Sequence, residues 1–393
     1  MKSWYFSEQS YHPAWDLPGS IKINAPSAPI DPKTAHLLLK SYIAECVLAD
    51  ELGLNIMVNE HHASYTCMSV SCMLTLGILA NATKKARLLA LGIPILSRMD
   101  PFRIAEEIAY VDVLSQGRLE VGLIKGTPYE LYVSNSHPVT ANKRFWEMHQ
   151  CVIAALTSRD GSFSWESENV NYRNVTVIPP CYQQPTPPMW LTTLSSTTAR
   201  EAAKRGIVLG ITGVALAARE SFPLYREEYL NTFGKPASLD RFAYLGQVCV
   251  ARDEKTAIER GRKLLRFMET SERVENRFLN PPGLLPVEGS AKNLRTRTAV
   301  THRSKTLPDG TPMSVPPTPE EQIMNGTMFA GTPDQVYEQI KRFYDSVGGF
   351  GQFLVQMGGT NTHEEICDSL RLYATEVQPR LDELTRRGSR SYA

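Results

Sequence analysis

The sequence predicts a single (β/α)8 barrel, an α/β domain in which parallel strands alternate with helices. Eight short runs rich in Val, Ile and Leu lack the strict alternation of half-buried strands, which is typical of parallel strands buried on both faces. Longer segments with helical periodicity separate these runs, and repeated strand–helix alternation favours a closed barrel with right-handed crossovers. The alternative is an open doubly wound sheet, but no G-x-G-x-x-G motif follows the first predicted strand.

The predicted strands are short and spread over one domain that covers residues 1–393. A chain of 393 residues has room for one large barrel or for two ordinary domains. The unbroken repetition of strand and helix favours one barrel. The strands are predicted at residues 3–7, 54–59, 87–93, 118–124, 189–193, 207–211, 242–251 and 352–357.

Three of the intervening helices have clear start or stop signals. Gly53 follows the helix predicted at 33–52, at the position where glycine commonly ends a helix. Asp100 is an N-cap residue followed by proline, and Thr332 with Gln335 has the spacing of a capping box. The residues expected to face the barrel are Leu39, Tyr42, Cys46, Ala49, Ile104, Ile108, Val111, Val336, Ile340, Phe343 and Val347.

Two segments interrupt the alternation. Residues 280–325, rich in Pro, Thr, Ser and Lys, predict a long insertion before the last strand. This insertion is either a lid over a ligand or a surface loop, and its few large apolar residues favour the loop. Residues 158–188 predict a second irregular connection, which ends in prolines just ahead of the fifth strand.

The composition excludes several classes of function. The formal net charge is +1 and Lys and Arg are spread along the chain, so nothing indicates binding to nucleic acid or anionic lipid. The chain has no uncharged apolar run of about 18 residues, and its apolar start is too short for a signal peptide. Seven scattered cysteines form no C-x-x-C pair, so we expect buried thiols in a reducing cytoplasm and no metal site.

The catalytic groups of a (β/α)8 barrel follow the carboxyl ends of its strands. Glu60-His61-His62 comes directly after the second predicted strand. A metal site is unfavourable here, because neighbouring side chains on an extended chain point in opposite directions. Two interpretations remain: a pair of structural histidines, or one imidazole at the mouth that transfers protons near neutral pH.

Three further loops contain residues suited to a flat, phosphorylated ligand such as flavin mononucleotide. After strand three, a glycine allows close approach of the backbone to a ring system, although it also suits an ordinary strand exit. After strand four, a lysine between glycines can meet a phosphate or can be a solvated surface lysine. After strand five, Ser and Thr residues can cap a helix or offer donors to an anion. The residues concerned are Gly92, Ile93, Lys125, Leu194, Ser195 and Ser196.

Four stretches of the chain share a pattern with one enzyme family. They are Ala49-Asp50-Glu51-Leu52-Gly53 through Glu60-His61-His62, then Arg103-Ile104-Ala105-Glu106-Glu107, then Asp112 through Gly122, and finally Gly331-Thr332-Pro333-Asp334-Gln335-Val336. Together they resemble the luciferase-like flavin monooxygenases over residues 1–270 and 326–380. The insertion at 280–325 has no counterpart in this resemblance.

The resemblance implies a role for each loop at the mouth. His61 matches the catalytic imidazole, with Glu60 as its orienting partner. Gly92-Ile93 falls where relatives often have a non-prolyl cis peptide beneath the flavin ring. Lys125 stands where luciferases place an arginine on the flavin phosphate. A lysine cannot make the bidentate hydrogen bonds of a guanidinium, so the resemblance implies weak, exchangeable FMN binding. The family's second phosphate loop corresponds to Leu194, Ser195 and Ser196.

The implied reaction is oxygenation of a small organic substrate. A separate flavin reductase supplies FMNH2, O2 adds at the flavin C4a position to give a peroxide, and one oxygen atom passes to the substrate. Two alternatives are hydride transfer with a reduced deazaflavin, and flavin binding without turnover, against which the retained Glu60-His61-His62 argues. We also expect a homo-oligomer, specifically a homodimer. The expected substrate contacts are Trp15, Tyr129 and Met357.

Overall fold

Eight parallel strands close into a barrel in the computed structural model of this protein. The structure describes residues 1–391 apart from Ser20, Asn135 and most of the segment 272–306, of which it describes residues 274, 278, 283, 287 and 291. The strands in this part of the chain are β1 (Lys2–Phe6), β2 (Asn55–Val58), β3 (Leu88–Pro94), β4 (Leu119–Ile124), β5 (Phe163–Glu166), β6 (Asn171–Val175), β7 (Met189–Thr192), β8 (Val208–Thr212), β9 (Phe242–Val250), β10 (Met328–Gly331) and β11 (Gln352–Gln356).

The hydrogen-bonding order confirms the predicted barrel. The strands follow one another as β1, β2, β3, β4, β7, β8, β9 and β11, and β11 pairs with β1 to close the ring. Every pairing in the ring is parallel, with Lys2 opposite Gln352 at the closure. Each of the eight predicted strands exists, and its ends differ from the prediction by at most one residue.

The structure adds elements that the sequence pattern did not indicate. β10 pairs with the last part of β9, Gln247–Val250, outside the closed ring. β5 and β6 form an antiparallel hairpin within residues 158–188, so that connection is not irregular throughout. The hairpin is largely exposed, and β10 has the sequence Met-Phe-Ala-Gly with only two large apolar residues, so neither contains the apolar run by which the barrel strands were predicted.

The helices surround the barrel and begin at the predicted caps. Asp100 accepts a hydrogen bond from the backbone N–H of Arg103, and Thr332 with Gln335 makes both bonds of a capping box. Of the apolar residues predicted to face the barrel, only Leu39 is exposed, because the buried stripe of its helix continues through Leu38 instead. The helices are α1 (Pro32–Glu51), α2 (Cys72–Ala82), α3 (Ile95–Arg98), α4 (Pro101–Leu114), α5 (Pro128–Val133), α6 (Ala141–Thr157), α7 (Ser196–Lys204), α8 (Ala215–Phe233), α9 (Glu254–Thr270), α10 (Pro319–Asn325), α11 (Pro333–Ser346), α12 (His363–Leu372) and α13 (Gln378–Ser391).

Side chains fill the interior of the barrel at its amino-terminal end. The rings of Trp4 and Trp190 meet edge to face with their centroids 5.5 Å apart. The indole N–H of Trp190 donates to Glu120 at 2.6 Å, and that of Trp4 donates to Gln352 at 2.9 Å. Because this end is packed and these polar groups are paired, the room for a ligand inside the barrel lies at the carboxyl ends of the strands.

A second apolar layer packs between the barrel and the helices. All seven cysteines are buried and unpaired, which confirms the expectation that they serve as small buried side chains. Within the described part of the chain, no helix is both long and apolar enough to cross a bilayer. Residues 307–325 of the predicted insertion lead through α10 into β10, whereas the prediction of a lid or loop over 280–306 falls largely outside the described residues.

Candidate active site

A cavity of about 420 Å³ opens at the carboxyl ends of the barrel strands, and we call it the mouth cavity. Each of the eight barrel strands, or the loop directly after it, contributes to its wall. Its volume lies in the range of about 300–1,000 Å³ that is usual for small-molecule sites. The lining residues are Phe6, Glu8, Met57, Asn59, Glu60, His61, Leu91, Gly92, Ile124, Lys125, Gly126, Thr127, Pro128, Thr192, Thr193, Leu194, Thr212, Gly213, Val214, Leu245, Gln247, Met268 and Gln356.

His61 reaches the mouth cavity from the loop after β2, as predicted. Its side chain is 23% exposed, and its Nδ1 lies 3.0 Å from a carboxylate oxygen of Glu130. The phenol oxygen of Tyr129 lies 3.4 Å from the same ring nitrogen. A carboxylate accepts but does not donate, so Nδ1 carries the proton in this contact and the tautomer of the ring is fixed.

Glu130 is held in place from two sides. Its side chain is only 1% exposed, and its second oxygen accepts the backbone N–H and the hydroxyl of Thr127, each at 2.8 Å. Burial alone would raise the pKa of the Glu130 carboxyl, but the charge of His61, its hydrogen bond and the Thr127 donors together hold that pKa below its ordinary value. Glu130 is therefore a rigid, ionised acceptor behind the imidazole.

Glu60 lines the mouth cavity but does not orient His61, which corrects the predicted pairing. One of its carboxylate oxygens lies 3.2 Å from His62 Nε2, and the other accepts the backbone N–H of Cys72 at 2.9 Å. The guanidinium of Arg98 lies 3.6 Å from the latter oxygen. The two histidines thus have different carboxylate partners on opposite sides of the chain. In the described residues, no group of three or more His, Cys, Asp or Glu side chains could hold a metal ion.

The wall formed by β3 brings backbone close to the cavity. A non-prolyl cis peptide joins Leu91 and Gly92, one residue before the predicted Gly92-Ile93 junction. A Cβ at Gly92 would lie 2.7 Å from the Ile124 side chain and 2.9 Å from the carbonyl oxygen of Gly122, so only glycine fits. Ile93 is fully buried in the layer between barrel and helices, because successive side chains of a strand face opposite sides. The Ile93 side chain therefore faces away from the mouth cavity.

The wall formed by β4 presents a positive charge. Lys125 lines the mouth cavity, and its ammonium group donates to the side-chain oxygen of Asn142 at 2.9 Å. Burial lowers the pKa of the Lys125 ammonium, since a charged group loses hydration there. An anion that entered the cavity beside Lys125 would offset this loss.

The loop after β7 lies beside that lysine around the barrel. Leu194 lines the mouth cavity, together with Thr192 and Thr193. Ser195 is the N-cap of α7, since its hydroxyl accepts the backbone N–H of Thr198. Ser195 and Ser196 are not among the residues that line the cavity, and the Ser195 hydroxyl is used as the helix cap.

A comparison with known protein families decides which class of barrel this is. The sequence profile of the luciferase-like monooxygenases matches residues 29–349. The chain belongs to the luciferase-like monooxygenase family. This match confirms the resemblance inferred from the sequence.

Individual luciferase-like proteins are similar over different shares of the chain. The oxygenase component of the flavin-dependent trigonelline monooxygenase from Acinetobacter baylyi is 29% identical over 194 residues, 48% of this chain and 53% of that protein. Monooxygenase RslO1 from Streptomyces bottropensis superposes with a TM-score of 0.72 at 20% identity, over 97% of this chain and 100% of that chain. The oxygenating constituent of 3,6-diketocamphane monooxygenase from the CAM plasmid of Pseudomonas putida, in complex with FMN, gives 0.70 at 16% identity, over 97% and 99%. The two solved structures share the fold, and the chain spans about half the length of the curated relatives it matches.

None of the three predicted substrate contacts lines the mouth cavity. Trp15 is buried outside the mouth cavity, where its ring packs on Phe267 and its N–H donates to Thr270 at 2.8 Å. Met357 is buried between barrel and helices, because Gln356 beside it faces the cavity. Tyr129 is also buried and lies behind His61 rather than in the cavity wall.

Glu130 was not among the site residues predicted from the sequence. The contact with His61 spans 69 positions, which no local pattern reveals. A local signal was nevertheless present, since Thr127 and Glu130 have the T-x-x-E spacing of a capping box directly after the fourth predicted strand. A capping box at that place puts a carboxylate at the mouth of the barrel.

Proposed function

We propose that the protein is the oxygenase component of a two-component monooxygenase that uses FMNH2 and O2 to oxygenate a small organic substrate. A separate flavin reductase supplies the reduced cofactor. The main support for this proposal is that three features line one cavity: the His61 imidazole hydrogen-bonded to a buried carboxylate, the backbone at Gly92, and the charged side chain of Lys125. The name of the Acinetobacter baylyi relative, an oxygenase component, supports the separate reductase.

The residues around the mouth cavity fit a flavin mononucleotide. The backbone at Leu91-Gly92 offers a surface without a protruding Cβ for the flat ring system. Lys125 and the amino-terminal end of α7 would hold the phosphate, one by its charge and the other by its N–H groups and dipole. The FMN complex of the Pseudomonas putida neighbour supports this choice of flavin. When bound in reduced form, the flavin supplies the electrons that activate O2.

The protein's own part in the chemistry is proton control and exclusion of water. We assign the proton exchange to His61 Nε2, because Nδ1 is committed to Glu130. The negative charge of Glu130 stabilises the imidazolium that forms when His61 takes up a proton. Apolar side chains in the same wall, such as Phe6, Met57 and Leu245, keep the reacting atoms away from water.

Two measurements test this function. Titration of the apo protein is expected to show tighter binding of FMN than of FAD, NAD or a deazaflavin, and tighter binding of one of these would contradict the proposal. A mass-spectrometric product screen under labelled oxygen, with a generic flavin reductase, is expected to find a product carrying one labelled atom. Product formation with reduced deazaflavin and without O2 would instead establish hydride transfer, and flavin binding without any product would establish a binding protein.

We further propose that two copies of the chain associate through the outer face of α2 and α4. Leu74, Ile78 and Tyr110 are 65%, 51% and 58% exposed on this face, and exposed large apolar side chains that lie together are typical of a protein–protein contact. Arg103 and Glu106 lie 3.1 Å apart at its edge, so a second copy related by twofold symmetry can meet each charge with its opposite. Light scattering should give twice the chain mass, and Ile78→Asp should halve it; a wild-type monomer would contradict this.

A further inference from the structure

Two methionines line the mouth cavity, and they differ in how deeply they are buried. Met57 lies in β2 and is 3% exposed. Met268 lies on α9, two residues before the end of that helix, and is only partly buried. A small molecule in the cavity therefore reaches Met268 more easily than Met57.

The sulfur of Met268 lies on the cavity side of α9. The side-chain N–H of Gln356 donates to this sulfur at 3.2 Å. Gln356 is the last residue of β11 and lines the cavity, whereas its neighbours Val355 and Met357 pack between the barrel and the helices. The contact therefore holds the thioether beside a side chain that faces the mouth.

The proposed function supplies an oxidant in the same cavity. Reduced flavin that reacts with O2 in the absence of a substrate releases hydrogen peroxide. One peroxide molecule in a cavity of about 420 Å³ has a local concentration of about 4 M, because 1 M corresponds to one molecule in about 1,660 Å³. Until the peroxide leaves, the wall of the cavity meets a concentration that the surrounding solution never reaches.

A thioether is the sulfur group best suited to react there. Cys67 and Cys72 contact the wall, since their sulfurs lie 3.5 Å from the side-chain oxygen of Asn59 and 3.6 Å from the carbonyl oxygen of Gly92. Oxidation of a cysteine requires the thiolate, and burial raises the pKa of both thiols. A methionine sulfur has no proton to lose, so burial does not suppress its oxidation in this way.

We propose that Met268 is a self-oxidation site, where hydrogen peroxide formed in the mouth cavity converts the thioether to methionine sulfoxide during turnover without substrate. The sulfur gives an electron pair to one peroxide oxygen and the O–O bond breaks. The proton of the transferred oxygen goes to the other oxygen, which leaves as water, so the sulfur is oxidised and the peroxide is reduced. The inference rests on the proposed function, which supplies the peroxide.

The modification changes the packing at the end of α9. Met268 packs against the apolar cluster that contains Trp15 and Phe267. A sulfoxide is polar, so the added oxygen places a polar group at an apolar contact. Oxidation should therefore weaken the attachment of α9 to this cluster.

Peptide mass spectrometry of the full-length protein after turnover tests the site. A generic flavin reductase supplies FMNH2 in air without substrate, and catalase removes the peroxide that escapes into solution. Met268 should gain one oxygen atom at least about tenfold faster than Met99 and Met324. Equal rates for these three residues under catalase, or oxidation of Met57 in place of Met268, would overturn the inference.

Met99 and Met324 are matched controls that do not line the mouth cavity. Met99 is partly buried like Met268, and its sulfur also accepts an N–H, from Arg144 at 3.0 Å. Met324 is 51% exposed. When hydrogen peroxide is added from solution without flavin or catalase, Met324 should be oxidised first. Prior oxidation of Met268 in that experiment would overturn the assignment to peroxide formed inside the cavity.

Met268→Leu tests the consequence of the modification. Turnover without substrate should lower the unfolding temperature of the wild-type protein, whereas Met268→Leu, which has no sulfur at this position, should keep its starting value. An equal fall in both proteins would overturn the assignment of the damage to Met268.

An FMN titration of the same protein separates the two proposals. If FMN binds but Met268 stays reduced during turnover, the proposed function stands and the self-oxidation site fails. If FMN does not bind, the proposed function fails and the self-oxidation site fails with it.

Discussion

Glu130→Gln is expected to destabilise the protein by about 1.5–3 kcal/mol at neutral pH, the range for a hydrogen bond to a charged group. The wild-type carboxylate is 1% exposed and accepts from His61 at 3.0 Å and from two donors of Thr127 at 2.8 Å. A glutamine side chain has one acceptor oxygen, and its NH2 group cannot accept. If that oxygen stays with Thr127, His61 can only accept from the NH2 group through a deprotonated Nδ1, so the charge-assisted hydrogen bond and the fixed tautomer are lost.

The difference in stability should depend on pH in a defined direction. In the folded protein the pKa of the Glu130 carboxyl lies below its ordinary value of 4.5. A carboxyl with a lowered folded pKa stabilises the protein above the pKa of the unfolded chain, and this contribution is lost as the pH falls through the folded pKa. Glutamine does not titrate, so the unfolding free energies of wild type and variant should begin to approach each other below about pH 4.5 and converge only below the folded pKa.

Urea unfolding followed by tryptophan fluorescence, at neutral pH and near pH 4, measures both effects. Glu166→Gln is the control, because Glu166 and Arg173 lie 2.8 Å apart with side chains 63% and 76% exposed. Such an exposed pair contributes about 0–1 kcal/mol. The reasoning is refuted if Glu130→Gln costs no more than the control at neutral pH, or if its cost is the same at acid pH.

Four further substitutions test the site. With a substrate from the product screen, His61→Ala should lower coupled product formation about 100- to 10,000-fold and raise the release of hydrogen peroxide. His62→Ala should mainly lower the unfolding temperature. If only His62→Ala lost coupling, His62 rather than His61 would be the proton-transfer group. Lys125→Ala should weaken FMN binding by about 1–3 kcal/mol in a fluorescence titration and leave riboflavin binding unchanged, and an equal loss for riboflavin would remove Lys125 from the phosphate site. Gly92→Ala should abolish FMN binding, because the new Cβ would lie 2.7 Å from Ile124, and retained affinity would show that the ring does not rest on this wall.

The barrel could be predicted from the sequence because its strands are buried on both faces. Such a strand is apolar along its whole length, so a continuous apolar run identifies it, and all eight barrel strands were predicted from such runs. The β5–β6 hairpin was not predicted because its side chains are mostly exposed, and β10 was not predicted because its sequence, Met-Phe-Ala-Gly, has only two large apolar residues.

The site was predictable where it depends on position along the chain and not where it depends on the direction of a side chain. His61, Gly92 and Lys125 follow directly from the rule that function lies at the carboxyl ends of strands. Ile93 and Met357 were misplaced, because each is one residue from a cavity-lining neighbour and therefore faces the opposite side of the sheet. Only the register of each strand in the closed ring fixes that choice.

The closure of the barrel has a consequence for synthesis on the ribosome. β1 emerges first, but its partner β11 begins at Gln352, and the contact between Trp4 and Gln352 spans 348 positions. Until β11 has left the exit tunnel, β1 and β9 each present an unpaired sheet edge, which invites pairing with other nascent chains. Truncation before Gln352 is thus expected to yield aggregates, and the full-length chain should depend on chaperones that cover open strand edges during translation.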